Sequence, residues 1–350
     1  MPKACDNCLP MDRGYTFFFA PHQSLALLDT YYATFDDTKW KMLNSQTVWV
    51  EEYTAFDLLD YLDIYFDTSI ITFIRSTKQA PLSSDQKREP LRKLRQEREA
   101  HWIDEIIEER HLVSYYQPIV HYDGETTRMM GHELLSRGIG KDGQLISPLS
   151  MLEAARTRHR LFALDRACRI TCVEHAEVIK DQWIFINFVP TAIYIPEHCL
   201  STTLKLINEL NIPPEHVIFE VVESDDIEDI DHLKKILDYY KQQGFKYALD
   251  DIGTGTNTLK KLAYLEPHIV KLAREYVDGI CENKEKQHMA QALLQVADQI
   301  GAQLLAEGVE TKEDMDYLQR MGYELFQGYY ISKPQAAPMT TTDVGTALSL

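Results

Sequence analysis

The chain has 350 residues, 45% of them hydrophobic and 26% charged, with 54 acidic against 36 basic side chains and a formal net charge of -18. That balance excludes non-specific electrostatic binding to a nucleic acid polymer or an anionic membrane, and an anionic small ligand would need local arginines or bound metal. No run approaches the ~18 apolar residues of a membrane span, and the opening MPKACDNCLPMDRG lacks the apolar segment of a secretory signal, so the expectation is a cytoplasmic protein without membrane insertion.

Residues 14–76 read as a small α/β unit, within a module assigned to 1–80. GYTFFFA, TVWVEEY and SIITFIR have the β-branched and aromatic content of strands, and SLALLDTYYATF and AFDLLDYLDIYF have helical spacing. Ahead of it, Cys5 and Cys8 form a C-x-x-C, but no second such pair or H-x-x-x-H completes a four-ligand site, so the spacing reads as an incidental thiol pair over a zinc or redox centre. From Ser76 the composition turns to Lys, Arg and Glu, with Pro81 and Pro90 as breaks; residues 81–110 read as a linker followed by a connecting helix whose narrow stripe is Leu91, Leu94, Trp102, Ile103, Ile106 and Ile107.

From residue 111 to 350 strand-like runs alternate with helical patterns. The runs are LVSYYQPIVHY, MMGHELLSR, WIFINFV, HVIFEVVES, KYALDDIG, HIVKLA, AQLLAEGVE and ELFQGYY, with helices expected at 147–158, 162–178, 201–210, 230–244, 256–265, 283–300 and 311–321. Gly244, Gly301 and Gly322 are placed as helix C-caps. Buried strands alternating with helices imply parallel pairing, and eight strands in this length fit a closed (β/α)8 barrel. Only a turn at Asp123–Gly124 separates the first two runs, so they should pair antiparallel and the barrel should be irregular. The basic cluster Arg156, Arg158, His159, Arg160, Arg166 and Arg169 reads as a solvated helix face, and Cys168 and Cys172 as small buried helix residues.

Each apolar run ends in a polar or charged side chain: Gln117, Glu133, Asn187, Glu220, Asp250 with Asp251, Lys271, Glu307 and Gln327. Burying an unpaired charge is costly, so this row implies one shared site at the C-terminal face of the strands. Five or more carboxylates in one bowl repel unless some are protonated or cations sit among them. All-oxygen donors suit Mg²⁺ or Mn²⁺, and two such ions about 3.5–4 Å apart form the arrangement that cleaves phosphodiesters. Asp250 and Asp251 reach one site only where their strand ends and turns, for which Gly253 and Gly255 supply the freedom. Lys271 can orient or deprotonate a water, or neutralise a phosphate oxygen.

The motifs QPIV (117–120), GHELLSR (131–137), INFVP (186–190), FEVVES (219–224), LDDIGTG (249–255), IVK (269–271), AEGVET (306–311) and QGYYISKP (327–334) resemble, in order and spacing, the series of EAL-domain phosphodiesterases over residues 112–335. The resemblance implies a modified (β/α)8 barrel with its first strand antiparallel, hydrolysing cyclic di-GMP to linear pGpG with Mg²⁺ or Mn²⁺, and paired as a homodimer through the barrel. It implies that Glu133, Asn187, Glu220 and Asp250 hold one ion and that Asp250, Asp251 and Glu307 hold the second. Lys271 would position the attacking water, with Glu133 and Glu307 in the catalytic set. Gln117, Arg137 and Gln327 would contact the dinucleotide, and Glu223 would brace the loop after Asp251.

Three positions depart from the pattern. Leu134 replaces an alanine in the signature triplet, and Phe188–Val189 follow Asn187 where x-Ser is usual. Lys271–Leu272–Ala273 lacks the aspartate of Lys-x-Asp, which makes a cyclic di-GMP receptor without turnover the alternative reading. A third reading has the N-terminal unit carry the function on a scaffold barrel; a scaffold has no use for so many mutually repelling acids.

Overall fold

A computed structural model describes residues 13–32, 36, 38–82, 87–193, 195–222, 230–252 and 258–340, with the side chains at 29, 30, 222, 251, 252, 258 and 259 excepted. Cys5, Cys8, Glu223, Gly253 and Gly255 lie outside the described residues, as does the side chain of Asp251. Among the described residues one compact unit runs up to Asp104 and takes in Glu153–Arg160; the other holds Glu105–Leu152 and resumes at Leu161.

The first unit is an antiparallel sheet of β1 (Arg13–Phe18), β2 (Trp40–Asn44), β3 (Thr47–Glu51), β4 (Thr72–Thr77) and β5 (Glu89–Pro90), in the order β2-β3-β1-β4-β5. The strand β2 was not anticipated from the sequence: it is an edge strand with no buried residue, so no apolar alternation marks it. Within the described part of the helical pattern at 24–35 lie a 3₁₀ turn, Leu25–Leu28, and an α turn, Asp29–Tyr32. The helix Glu52–Tyr65 begins at Glu51, whose carboxylate accepts from Thr54 N at 3.1 Å. The stripe residues Leu91 and Leu94, on the helix Leu91–Glu99, join the core of Tyr15, Phe17, Phe56, Leu59 and Phe73.

The basic cluster is a correction to the solvated-face expectation. Arg158 is 3% exposed; its Nη2 lies 2.6 Å from Asp104 and 2.9 Å from Glu52, and its Nη1 3.6 Å from Glu97 and 3.2 Å from the Tyr15 hydroxyl. The partners are more than fifty residues away in sequence, which is why local spacing suggested solvent.

The second unit carries β6 (Leu112–Tyr122), β7 (Thr127–Ile139), β8 (Leu145–Ile146), β9 (Trp183–Phe188), β10 (Val217–Val222), β11 (Lys246–Ile252), β12 (Ile269–Leu272), β13 (Gln303–Ala306) and β14 (Leu325–Phe326). Eight of them close a barrel, β6-β7-β9-β10-β11-β12-β13-β14, because β14 pairs back onto β6; β8 only extends β7. The strand β6 is antiparallel to both its neighbours, β7 and β14, and every other barrel pairing is parallel. Helices Leu161–Ala176, Ser201–Glu209, Ile230–Gln242, Thr258–Leu265, Lys284–Ile300 and Lys312–Met321 occupy the connections. A large apolar cluster lies between strands and helices, and a second one, Ile119, Phe185, Ile218, Ala248, Ile269, Leu305 and Leu325, fills the barrel interior. At Gly131 on β7 a Cβ would stand 2.0 Å from the carbonyl oxygen of Trp183, so the close approach of β7 and β9 depends on glycine there. No helix among the described residues is long and apolar enough to cross a membrane.

Candidate active site

The interior apolar layer sets the position of the polar one. Successive side chains on a strand alternate between faces, so the residue two further along returns to the barrel axis. From Phe185, Ile218, Ala248, Ile269, Leu305 and Leu325 that step leads to Asn187, Glu220, Asp250, Lys271, Glu307 and Gln327. On the reversed strand β6 the step runs the other way, from Ile119 to Gln117. Gln117 pairs in register with Glu133 on β7. The pairing of β11 with β12 shifts between Leu249 and Ile252, an irregularity at the Asp250–Asp251 pair.

The side chains converge on Lys271, which is fully buried. Its Nζ lies 2.6 Å from Glu220 Oε1, 2.6 Å from Glu307 Oε1, 3.2 Å from Asp250 Oδ1 and 3.6 Å from Glu133 Oε2. Glu133 is fixed from two further sides: Asn187 Nδ2 donates to its Oε1 at 2.8 Å and Gln327 Nε2 to its Oε2 at 2.8 Å. Past the strand ends the backbone continues the ladder, Glu307 N donating to Leu272 O and Gln327 N to Ala306 O, which holds the two site residues at adjacent heights.

Burial alone would push the Lys271 ammonium down, but Asp250, Glu133, Glu220 and Glu307 reverse that and hold its pKa well above the ordinary lysine value. The lysine therefore carries its proton at neutral pH. Desolvation, and then the charge of Glu133, push the Glu220 carboxyl well above its usual range against the pull of Lys271. Glu307 is raised likewise by burial and then by Asp250. Four acids share one ammonium, and the surplus is relieved by holding protons.

The donor chemistry fits a hard dication: carboxylate and amide oxygens, with no sulfur or imidazole. Both Glu220 oxygens are buried without a hydrogen-bond donor, since Lys271 lies close to Oε1 without hydrogen-bond alignment, and Gln327 Oε1 is unpartnered as well. Among the described residues no three acidic, histidine or cysteine side chains converge in the manner of a filled metal site; the ammonium of Lys271 stands among them.

A cavity of about 210 Å³ opens over Glu133 and Glu307 and is lined also by Gln117, Gln327, Arg274 and Tyr329. Arg137 is half-buried over the ring of Tyr115, 5.9 Å from its centroid, and donates to Ser136 O; burial lowers its pKa against the charge of Glu133, so it stands beside the cluster. Two features were not anticipated. Arg274 and Glu310 form an ion pair at the cavity mouth. The buried Asp165–Arg169 pair holds the loop after β9, Asp165 accepting from Val189 N at 2.8 Å and from Arg169 Nε at 2.9 Å. The second was legible as an i,i+4 Asp–Arg spacing on a helix.

Ala273 is 2% exposed and occupies the N-cap of the short helix Arg274–Val277, with no side-chain cap. Aspartate is a favoured residue at an N-cap. Lys271 meets its four carboxylates without any contribution from this position.

The sequence profile of the EAL domain matches residues 100–334. The chain is 28% identical over 243 residues to the cyclic di-GMP phosphodiesterase PdeR of Escherichia coli, covering 67% of this chain and 36% of that protein. It is 27% identical to the signaling protein YkoW of Bacillus subtilis, over 66% of this chain and 29% of that one. The chain thus spans about a third of the length of these curated relatives. Among solved structures, a standalone EAL protein of Vibrio cholerae O395 in its c-di-GMP-bound form is 31% identical, with a TM-score of 0.59, covering 67% of this chain and 97% of that one. The barrel, the layered polar site and these matches agree, and the chain belongs to the EAL domain family.

Proposed function

We propose that this protein is a metal-dependent phosphodiesterase that hydrolyses cyclic di-GMP to linear pGpG. The observation that carries the reading is the protonated Lys271, buried among Glu133, Glu220, Asp250 and Glu307 at the strand ends. The phosphodiesterase name of PdeR and the c-di-GMP held by the Vibrio protein supply the substrate class.

Glu133, Asn187, Glu220 and Asp250 would hold one Mg²⁺ or Mn²⁺, and Asp250, Asp251 and Glu307 a second. When bound, such ions supply the positive charge that offsets negative charge developing on the phosphoryl oxygens. Lys271 is a fixed cation rather than a base, because its neighbours hold its proton in place; fully buried and outside the cavity lining, it would position the attacking water through Glu133 and Glu307, which do line it. Glu307, which lines the cavity beside Glu133, would accept the proton in its ionised form. In the hydrolysis the water oxygen forms the new P–O bond, its proton passes to Glu307, the bond from phosphorus to the sugar oxygen breaks, and that oxygen leaves as a hydroxyl on taking up a proton, so that the proton count is conserved. Gln117, Gln327 and Arg137 bind or orient the dinucleotide. The same reading has the N-terminal unit as a regulatory module, the barrel as a homodimer, Glu223 as the brace of the loop after Asp251, and the cell cytoplasm as its location.

The test is incubation of purified protein with cyclic di-GMP in Mg²⁺ or Mn²⁺ and chromatographic separation of the products. Formation of pGpG above a Glu133→Ala control supports the reading. Binding by equilibrium dialysis without pGpG would instead establish the receptor reading that Ala273 raises. The N-cap position of Ala273 argues for turnover, because Lys271 is clamped without it.

A further inference from the structure

The cavity presents an acidic lining to an anionic ligand, and one guanidinium at its mouth has no part in the reaction as proposed. Arg274 follows β12; its side chain is 61% exposed, and Nη2 pairs with Glu310 Oε1 at 2.6 Å. Its stem lies against Gly308: a Cβ there would come 2.3 Å from Arg274 Cγ and 2.6 Å from its Cβ. The φ of Gly308 is +64°, so backbone conformation and the arginine stem both require glycine. Among the described residues lining the cavity, Arg274 is the cation, set against Glu133, Glu307 and Glu310.

We propose that Arg274 is a substrate-binding residue whose guanidinium, aimed by Glu310 and Gly308, donates to a phosphodiester oxygen of the cyclic dinucleotide. The inference rests on the phosphodiesterase reading and deepens it. A guanidinium has five N–H donors in a planar fork. Glu310 engages one terminal nitrogen, which fixes the plane and leaves donors for an anion. Among the described residues lining the cavity this arginine is the one cation that an anionic ligand meets at the entrance.

The experiment is steady-state hydrolysis of cyclic di-GMP by the full chain as wild type, R274Q and R274K, each at a series of NaCl concentrations. Removing one partly exposed charge-assisted contact should raise KM about tenfold in R274Q while kcat changes less than about twofold. The dependence of KM on salt should weaken with it, and R274K should recover part of the loss, because salt screens charge. Thermal melting checks that R274Q is folded. An unchanged KM in folded R274Q overturns the proposal and leaves the phosphodiesterase reading standing. So does a raised KM with the wild-type salt dependence, which would place the contact on a guanine base. If wild type binds without cleaving, the same comparison is made on Kd by equilibrium dialysis. A wild type that neither binds nor cleaves cyclic di-GMP removes the phosphodiesterase reading, and this proposal with it.

Discussion

Replacing Lys271 by Met tests the electrostatics of the site directly. Methionine keeps most of the unbranched stem and its packing but removes the ammonium that pairs with Glu133, Glu220, Asp250 and Glu307 within 4.0 Å. Breaking a buried ion pair by deleting one partner costs about 3–5 kcal/mol. Lys271 and Glu220 are both 0% exposed, so solvent screening does not reduce that figure much. The cost depends on pH with a definite sign. Glu220 and Glu307 have folded pKa values above their unfolded ones, so the folded state favours their neutral forms, and stability falls as pH rises above the ordinary carboxyl range. Lys271 opposes this, and its own raised pKa keeps its contribution intact until strongly alkaline pH. Without it the two carboxyls rise further, and the loss with pH steepens. Urea unfolding at about pH 8 should show the full 3–5 kcal/mol deficit, and at about pH 5, where the acids hold their protons, a deficit at least about 2 kcal/mol smaller. Equal deficits at the two pH values would refute the reasoning.

Loading the site with Mg²⁺ or Mn²⁺ must displace protons from Glu220 and Glu307, so affinity should fall as pH is lowered, and titration calorimetry in buffers of different ionisation enthalpy should register proton release; a pH-independent affinity without release contradicts the raised carboxyls. Ala273→Asp adds a capping carboxylate at a buried position, where its desolvation opposes the gain, and kcat should stay within about twofold of wild type; a tenfold or greater gain in turnover would show that position 273 acts on Lys271. Gly131→Ala forces a methyl against the Trp183 carbonyl and should cost at least about 1–3 kcal/mol, with Glu133 displaced and metal affinity reduced; a melting temperature equal to wild type would mean that β7 and β9 separate freely.

The site was legible because its residues obey the same two-residue period as the core beneath them. Phe185 and Asn187, Ile218 and Glu220, and Ile269 and Lys271 each pair a layer-filling side chain with a site side chain on one face, and such pairs survive in the sequence as a polar residue closing an apolar run. The reversed first strand was legible for a different reason, the short turn at Asp123–Gly124. What escaped depends on distant partners. Arg158 looked solvated because Glu52, Glu97 and Asp104 are remote in sequence. Arg274 carried no signal because its place over Gly308 depends on two strand ends brought together by the barrel. The departure at Ala273 was legible as a missing carboxylate, and the structure adds that the position is the N-cap of the helix Arg274–Val277.

The reversal of β6 also changes where the upstream chain meets the barrel. In a wholly parallel barrel the first strand begins at the floor, and whatever precedes it arrives on the side away from the chemistry. Here β6 begins at the rim, and only four residues separate Leu112 from Gln117. A one-residue slip would turn every side chain of that strand to the opposite face, so the register of β6 against β7 decides that Gln117 stands opposite Glu133. The chain that enters β6 at Leu112 therefore joins the barrel at the end that carries Gln117 and Glu133.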